Sequence, residues 1–210
     1  MDTNPEEDSP LPDDHKRLFA LLNEDLRPYL RDRDELISRL ERLVNLAKTV
    51  PEQSERGDIL RSVVVFTHAY LEDFLRTLGR HFLPVANRDA LNEVPLAGTK
   101  DRSKFQLADL EQHLGKSVRE VIRESVDQHL ERSTFNSTDE IAALLEKLSF
   151  KVSLHDKYFP NLNAMIRRRH TIVHRADRIA NDDTSYQLQP IEAEQVMSWV
   201  VTTRTLTDWG

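Results

Sequence analysis

Apolar residues recur along much of the chain at intervals of three and four, the spacing that places them on one side of an α-helix. Residues 13–50 are predicted to form one or two helices, and the clearest stripe there is Leu36, Leu40, Leu43, Ala47 and Val50. Residues 58–83 are apolar on nearly every side, which indicates the central, most buried helix. Asp58 is its predicted N-cap, and Pro51 and Pro84 are expected to end the two helical regions.

Shorter amphipathic segments follow a predicted loop at residues 85–102. Residues 103–132 indicate two helices separated at Gly115. Their apolar sides consist of Leu107, Leu110 and Leu114 in the first and Val118, Ile122, Val126 and Leu130 in the second. A capping box at residues 137–140 predicts the start of a further helix that runs to about Leu148.

Two more helices are predicted toward the end of the chain. The first covers residues 161 to about 180, and Pro160 stands at a position favoured near a helix start. The second covers residues 191–207. The chain has only 5 glycines, and long stretches lack both glycine and proline, which favours helices over hairpins. The prediction is therefore an all-α, antiparallel helical bundle.

The expected organisation is a single helical domain at residues 13–210, preceded by an acidic, disordered leader at residues 1–12. The domain is expected to contain a helical insertion at about residues 85–150. No apolar run approaches the roughly 18 residues that a membrane span needs. The acidic, proline-rich start is unlike a secretory signal or a transit peptide, so a cytoplasmic protein without membrane contact is predicted.

Charge restricts the possible chemistry. The net charge is −7, whereas general nucleic-acid binders are usually basic, so a phosphate-binding surface must be local. Residues 165–178 provide such a surface, with five arginines and one aspartate. The absence of cysteine from the sequence excludes disulfides, thiolate zinc sites and cysteine nucleophiles.

The segment RRRHTIVHRAD, residues 167–177, is the most unusual part of the sequence. On a helical wheel Arg169 falls within an apolar stripe formed by Leu162, Ile166, Val173 and Ala176. A guanidinium group in such a stripe needs either a carboxylate partner or an open groove that receives an anion. Glu72, on the predicted central helix, is the first candidate for that partner.

His170 and His174 stack on a second side of the same helix, with Arg167 and Arg178 close to that side. Arginine binds phosphate through a bidentate fork, and histidine transfers protons near neutral pH. Phosphodiester cleavage without a metal is therefore possible. Two alternatives remain, a solvated charged face and a zinc site at His170 and His174. The zinc alternative is weaker because the His-Glu-x-x-His pattern is absent.

The sequence Arg169-His170-Thr171-Ile172-Val173-His174 resembles the signature of the HEPN superfamily, the higher-eukaryote and prokaryote nucleotide-binding helical domains. That signature is an arginine, commonly followed by a polar residue, and then a histidine after four to six intervening residues. Arg168 and Arg167 also satisfy this spacing. The segment VVVFTHAYLEDFLRTL is similar to an earlier helix of the family that often carries an acidic residue facing the site, here Glu72 or Asp73.

The resemblance implies a bundle of four or five core helices, commonly dimeric, and a metal-independent ribonuclease without a cofactor. It implies attack by the ribose 2′-OH, a 2′,3′-cyclic phosphate product, and a composite site formed by two protomers. His174 would transfer protons, Arg169 would bind the phosphate, and His170 would orient one of them or the RNA. Arg168, Arg167 and Glu72 would support the site.

The leading hypothesis is accordingly a cytoplasmic, dimeric HEPN-type endoribonuclease that acts on RNA as a toxin or phage-defence effector, with an antitoxin or defence-system protein as a possible partner. The first alternative is a non-catalytic HEPN-like module that binds RNA, a nucleotide or another protein. The second is a helical scaffold with a solvated arginine edge. In the nucleotidyltransferase-associated branch of the family a tyrosine stands two residues after the histidine, where this chain has Ala176.

Overall fold

The computed structural model describes residues 32–99, 105–154, 156–179 and 187–208. Within these ranges the backbone is mostly helical, and extended pairing is limited to one antiparallel bridge between Arg178 and Leu188. The prediction of an all-α fold is therefore confirmed. The chain divides into two compact units, residues 1–36 and 37–210. The predicted leader at residues 1–12 lies outside the described residues.

Seven α-helices are described, and we number them in chain order. They are α1 (residues 32–49), α2 (Gln53–Phe82), α3 (Arg88–Asn92), α4 (Val118–Glu131), α5 (Thr138–Lys147), α6 (Phe159–Arg175) and α7 (Ala193–Leu206). Short 3-10 helices lie at Leu83–Val85, Leu107–His113, Val152–Leu154 and Asp156–Tyr158. In the part of the chain that is described, no helix has the length and apolar character needed to cross a membrane.

Helix α2 is the centre of the bundle, as its all-round apolar sequence predicts. It packs against α4, α5, α6 and α7, and its buried side chains include Leu60, Val63, Leu71 and Leu75. Gly79 allows α4 to come close, because a Cβ atom at this position would lie 2.8 Å from the Cδ2 atom of Leu130. The helix also carries a fully buried histidine, His68, in this apolar environment.

The predicted start of α2 is wrong. The helix begins at Gln53, with Glu52 as the N-cap, and Glu52 makes no side-chain capping bond. Asp58 therefore lies inside the helix, where it is exposed and 3.5 Å from Arg61 as part of an i, i+3 ion pair. The glycine before it, Gly57, is tolerated within the helix at a cost of about 1 kcal/mol relative to alanine. Gly57 therefore lies within the helix and does not precede its start.

The segment before Gly115 also differs from its prediction. It forms a 3-10 helix, Leu107–His113, rather than an amphipathic α-helix. The leucine stripe faces solvent, with Leu107 84% and Leu114 79% exposed. The buried side chain of this turn is His113, which lies next to the carbonyl oxygen of Ala97 at 3.2 Å. The spacing of the leucines was correct for an α-helix, but in the 3-10 helix Leu107 and Leu110 share one side and Leu114 lies beyond its end.

The helices on either side of residues 131–138 match the prediction more closely. Ser117 and Glu120 form a reciprocal capping box at the start of α4. At α5 the Ser137 side chain accepts a hydrogen bond from the Glu140 backbone N–H, as predicted. The Glu140 carboxylate instead accepts from the backbone N–H of Asn136. Because Val126, Leu130, Ile141, Leu144 and Leu145 are buried, α4 and α5 contribute to the core.

Candidate functional site

Helix α6 changes character along its length. Its first half is anchored in the core by Leu162, Met165 and Ile166, which are all buried. Its second half is different, because Val173 is 48% exposed and Ala176 is exposed beyond the helix end. The predicted apolar stripe is therefore correct for the first half of the helix and wrong for the second. Arg169 lies at the transition between the two halves.

The helix ends at Arg175 rather than near residue 180. Ala176 and Asp177 both have positive φ values, 49° and 57°, and the backbone N–H of Asp177 donates to the Thr171 carbonyl at 3.1 Å. A left-handed conformation is unfavourable for non-glycine residues, so two in succession require compensating contacts. The side chain of Asp177 provides them.

Asp177 is the centre of a buried ion cluster, which we call the Asp177 clamp and define as Arg61, Arg168, Asp177 and Gln189. The Asp177 side chain is 1% exposed, and its Oδ2 atom accepts from Arg61 Nε at 2.6 Å and from Arg168 Nη2 at 2.8 Å. The backbone N–H of Gln189 donates to the Asp177 carbonyl at 2.9 Å. Removing one member of such a buried pair is strongly destabilising, because a buried charge is then left without its partner.

Both terminal nitrogens of Arg168 are engaged in this clamp, whereas its Nε atom is buried without a hydrogen-bond partner. In addition to its bond to Asp177, Arg168 donates to the Gln189 side-chain oxygen at 3.0 Å and to the backbone carbonyls of Gln189 and Pro190 at 2.9 and 3.1 Å. These bonds connect α6 to the chain segment that leads into α7. The predicted phosphate-binding residue Arg168 thus lies in a structural network.

Arg169, the neighbour of Arg168, is placed in the opposite way. Its side chain is half-buried, and its Nε atom is buried without a hydrogen-bond partner. The predicted ion pair with Glu72 is not formed. The Glu72 carboxylate instead lies 3.5 Å from Arg76 Nη1 and 3.7 Å from His68 Nδ1. Among the described residues, no carboxylate lies within ion-pair distance of Arg169.

The side chain on α2 that the charge of Arg169 influences is His68. This imidazole is 0% exposed, and neither ring nitrogen has a partner at hydrogen-bond geometry in the described structure. Burial, with smaller contributions from the positive charges of Arg169 and Arg76, lowers the pKa of His68 from 6.5 to about 4, while the backbone of Phe135 acts in the opposite direction. His68 is therefore neutral near pH 7 and does not add a second charge beside Arg169.

Arg76 connects this group to the loop after α4. It donates to the carbonyls of Leu130 at 3.3 Å and Ser133 at 2.9 Å, and its Cζ atom lies 5.9 Å from the centre of the Phe135 ring. Phe135 is buried and has a φ of 45°, a conformation that costs free energy for a bulky residue. Arg169, His68, Glu72 and Arg76 together form what we call the Arg169 cluster.

The remaining predicted site residues lie on another side of α6. Arg167, His170 and His174 are all exposed, and the rings of His170 and His174 are tilted with their centroids 4.5 Å apart. The positions of Arg169 and His174 differ by about 140° around a helix. Arg169 lies near His68 of α2 and His174 is exposed, so the two side chains extend from different sides of α6.

Five residues of these networks were not identified from the sequence, namely Asp177, His68, Arg61, Arg76 and Gln189. Asp177 is the single acidic residue in an arginine-rich segment, and this pattern could have indicated a buried carboxylate paired with arginine. His68 precedes Glu72 by one helical turn, which gave a weak signal. Arg61 had no distinguishing pattern, because its partner Asp177 is 116 positions away.

The donor set for a metal is also limited. Among the residues that are described, no group of three or more His, Cys, Asp and Glu side chains is arranged to hold a metal ion. His170 and His174 are close enough for two ligands, but no third side chain of these types joins them in the described ranges.

Comparison with known proteins gives one match. A protein-family model described as RiboL-PSP-HEPN matches residues 29–192. This range includes α2, the whole of α6 and the Asp177 clamp, and it stops at the residue before α7. No curated protein and no solved structure matches the chain significantly.

Proposed function

The chain belongs to the RiboL-PSP-HEPN family, and from this membership we propose that it is a metal-independent endoribonuclease with Arg169 and His174 as its catalytic residues. Membership indicates an RNA-related or nuclease function at the family level. The finer assignment is supported by the structure of α6. Arg169 is the observation that carries it, because this half-buried guanidinium has no carboxylate partner among the described residues.

An unpaired, partly desolvated arginine is suited to a phosphate. Its planar fork accepts two phosphate oxygens, and partial removal from water strengthens the interaction. In the Asp177 clamp, by contrast, both arginines are paired with a carboxylate. The neutral His68 at the inner side of Arg169 leaves the positive charge uncompensated. Arg169 thus has the properties expected of a transition-state ligand.

The proposed reaction is an internal transesterification. A general base removes the proton from a ribose 2′-OH, and the oxygen attacks the adjacent phosphorus. The bond to the 5′-oxygen of the next nucleotide breaks, this oxygen receives a proton, and a 2′,3′-cyclic phosphate remains. His174 is the proposed proton-transfer residue because it is exposed and titratable. Arg169 stabilises the additional negative charge on the phosphate oxygens.

The two catalytic residues are proposed to meet across a homodimer. Since Arg169 and His174 occupy different sides of α6, a second copy can supply the complementary residue. His170 is placed to orient His174, given the 4.5 Å between their ring centroids. Arg167 is exposed on the same side and is proposed to contact the RNA backbone. Glu72 acts indirectly, through His68 and Arg76.

RNA cleavage in the presence of EDTA tests this proposal. We expect the wild-type protein to cut RNA and to leave cyclic phosphate ends. His174→Ala and Arg169→Ala should each reduce the rate by at least about 100-fold while the protein stays folded. Arg123→Ala, an exposed arginine on α4, is the matched control and should retain activity. Activity that persists in both site variants would refute the assignment.

Mixing the two inactive variants tests the composite site. If Arg169 and His174 come from different protomers, a heterodimer of R169A and H174A has one intact site and regains part of the activity. If both residues act within one protomer, mixing restores nothing.

The second candidate function is a non-catalytic module that binds RNA or a nucleotide. The observation that favours it is the separation of Arg169 and His174 in the single chain. If the wild-type protein binds RNA and cleaves none under any condition, this candidate replaces the first. The cellular role that we propose is a cytoplasmic toxin or phage-defence effector, held in check by a partner protein. Growth arrest on expression, lost in H174A, is the expected result.

A further inference from the structure

A cavity of about 500 Å³ lies between α6 and the start of α7. Its α6 wall includes Ala164, Arg167 and Thr171, and its α7 wall includes Gln195 and Trp199. The segment at residues 189–192 closes one side. A cavity of this size is within the usual range of small-molecule sites.

The lining suits a flat aromatic ring with hydrogen-bonding edges. Trp199 is 6% exposed, and its Nε1–H has no hydrogen-bond partner among the described residues. Ile191 provides a second apolar surface, and Gln195 and Glu192 add an amide and a carboxylate. Apolar surfaces with a few polar groups are typical of ligand sites.

One wall of the cavity is held rigid by the Asp177 clamp. Arg168 lines the cavity, and its guanidinium is fixed by bonds to Asp177, Gln189 and Pro190. A preformed wall reduces the entropy that a ligand loses on binding. Arg168 therefore shapes the cavity as well as stabilising the fold. Its charge is paired with Asp177 and is not available to the ligand.

The cavity lies on the side of α6 that carries His174. Thr171 and His174 are three residues apart, and residues at this spacing are neighbours on a helix surface. Arg167, which is seven residues before His174, lies at the rim of the cavity. A nucleotide whose base enters the cavity can therefore place its phosphate beside His174. Glu192 repels phosphate, so the phosphate is expected at the arginine and histidine end.

We propose that this cavity is a nucleobase-binding subsite, which holds an unpaired RNA base next to the phosphate that His174 acts on. The assignment of the phosphate rests on the proposed ribonuclease function, whereas the binding of a base does not. The subsite is expected to give cleavage a sequence preference, because the exposed side chains of Gln195 and Glu192 can meet the edge of the base.

Trp199 fluorescence gives a direct test. Trp209→Phe leaves Trp199 as the single tryptophan of the chain. We expect nucleoside monophosphates to change its emission in a saturable way, while ribose 5-phosphate, which lacks a base, has no effect at the same concentrations. Ala164→Phe in this background fills the cavity and should weaken nucleotide binding at least tenfold. Gln195→Ala, an exposed position, should weaken it about threefold, since one hydrogen bond contributes about 0.5–1.5 kcal/mol.

Ala143→Phe is the matched control. Ala143 lines a different cavity of about 380 Å³ next to α5, so nucleotide binding should be unchanged. The proposal is overturned if ribose 5-phosphate binds as well as the nucleotides, if A164F and Q195A bind as tightly as the parent, or if no nucleotide binds. These outcomes are independent of catalysis. If nucleotides bind as expected and RNA is never cut, the ribonuclease function fails and the base subsite remains.

In an active protein the same variants separate binding from chemistry. A164F and Q195A should raise KM and reduce the discrimination between RNA sequences, while kcat at saturating RNA changes less than twofold. Loss of kcat with unchanged sequence preference would contradict a base subsite.

Discussion

Arg168 and Arg169 are adjacent in sequence and opposite in environment. Arg168 makes bonds to Asp177, Gln189 and Pro190 and is one of two arginines on a single buried carboxylate. Arg169 has no carboxylate within ion-pair distance among the described residues and lies near the neutral ring of His68, while the Nε atoms of both arginines are buried without a partner. The first arrangement uses a charge to define where a helix ends. The second keeps a charge available, and this costs stability because a partly buried charge is left without a counter-charge.

The difference arises because the two side chains extend toward different parts of the protein. Arg168 points toward the segment that precedes α7, where carbonyl oxygens and Asp177 are concentrated. Arg169 points toward α2, where the carboxylate of Glu72 lies 3.5 Å from Arg76 Nη1. Because Arg76 pairs with Glu72, this carboxylate does not neutralise the guanidinium group of Arg169. Sites that carry such an unfavourable arrangement are often functional.

The largest effect is expected for Asp177→Ala. This change leaves Arg61 and Arg168 buried beside each other and removes the contacts that hold the left-handed residues at the end of α6. We expect the free energy of unfolding to fall by about 4 kcal/mol, measured by urea denaturation. Asp127→Ala removes a carboxylate from an exposed pair with Arg80 and should cost less than about 1 kcal/mol. Equal losses in the two variants would remove the distinction between the clamp and a surface pair.

The pH dependence of stability is expected to report on the Arg169 cluster. The pKa of His68 is about 4 in the folded protein and 6.5 without burial, so the unfolded chain takes up the proton first as the pH falls. The contribution of neutral His68 to the free energy of unfolding is therefore fully present above about pH 6.5, and it is lost as the pH falls toward 4. The loss is about 3 kcal/mol over this range.

His68→Gln is the control for that measurement, because it removes the titrating ring and keeps a neutral polar side chain. The difference in unfolding free energy between the parent and H68Q should change with pH between 6.5 and 4. A difference that is constant across this interval would show that His68 is not held neutral beside Arg169.

Arg168→Met is expected to have a smaller effect than the loss of Asp177. Arg61 still pairs with Asp177 at 2.6 Å, so the carboxylate keeps one partner, but the carbonyl oxygens of Gln189 and Pro190 lose their donor. We expect a loss of about 2 kcal/mol in chemical denaturation. A neutral result would indicate that the bonds of Arg168 add nothing to what Arg61 provides.

Arg169→Met should have the smallest effect on stability, and with the opposite sign. The substitution replaces an unpaired, half-buried guanidinium with an apolar side chain of similar length. A gain of about 1 kcal/mol is expected because a buried unsatisfied donor is removed. A loss as large as that of R168M would show that Arg169 has a structural partner after all.

The sequence was sufficient for the fold and for the unusual position of Arg169. Periodicity identified the helices, and a charge in an apolar stripe marked Arg169 before any contact was known. The partners were not predictable. Asp177 and Arg61 are far apart in sequence, and periodicity carries no information about such pairs. The preference of Glu72 for Arg76 depends on an i, i+4 neighbour within α2 that competes with the distant Arg169.

Errors at element ends have physical causes as well. A glycine inside α2 did not interrupt it, and a 3-10 turn placed Leu107 and Leu114 in solvent although their spacing was helical. The separation of Arg169 and His174 was predictable from the wheel. Their meeting across a homodimer remains a prediction, as do the roles of His170 and Arg167.

The most direct test of the division between the two arginines is RNA cleavage in EDTA by R168M and R169M, at a temperature where both variants are more than 95% folded. The Arg169 cluster is predicted to be catalytic and the Asp177 clamp structural. R169M should therefore lose at least about 100-fold in rate, and R168M should keep its rate within about tenfold. Cleavage that survives in R169M and is lost in R168M would contradict this assignment.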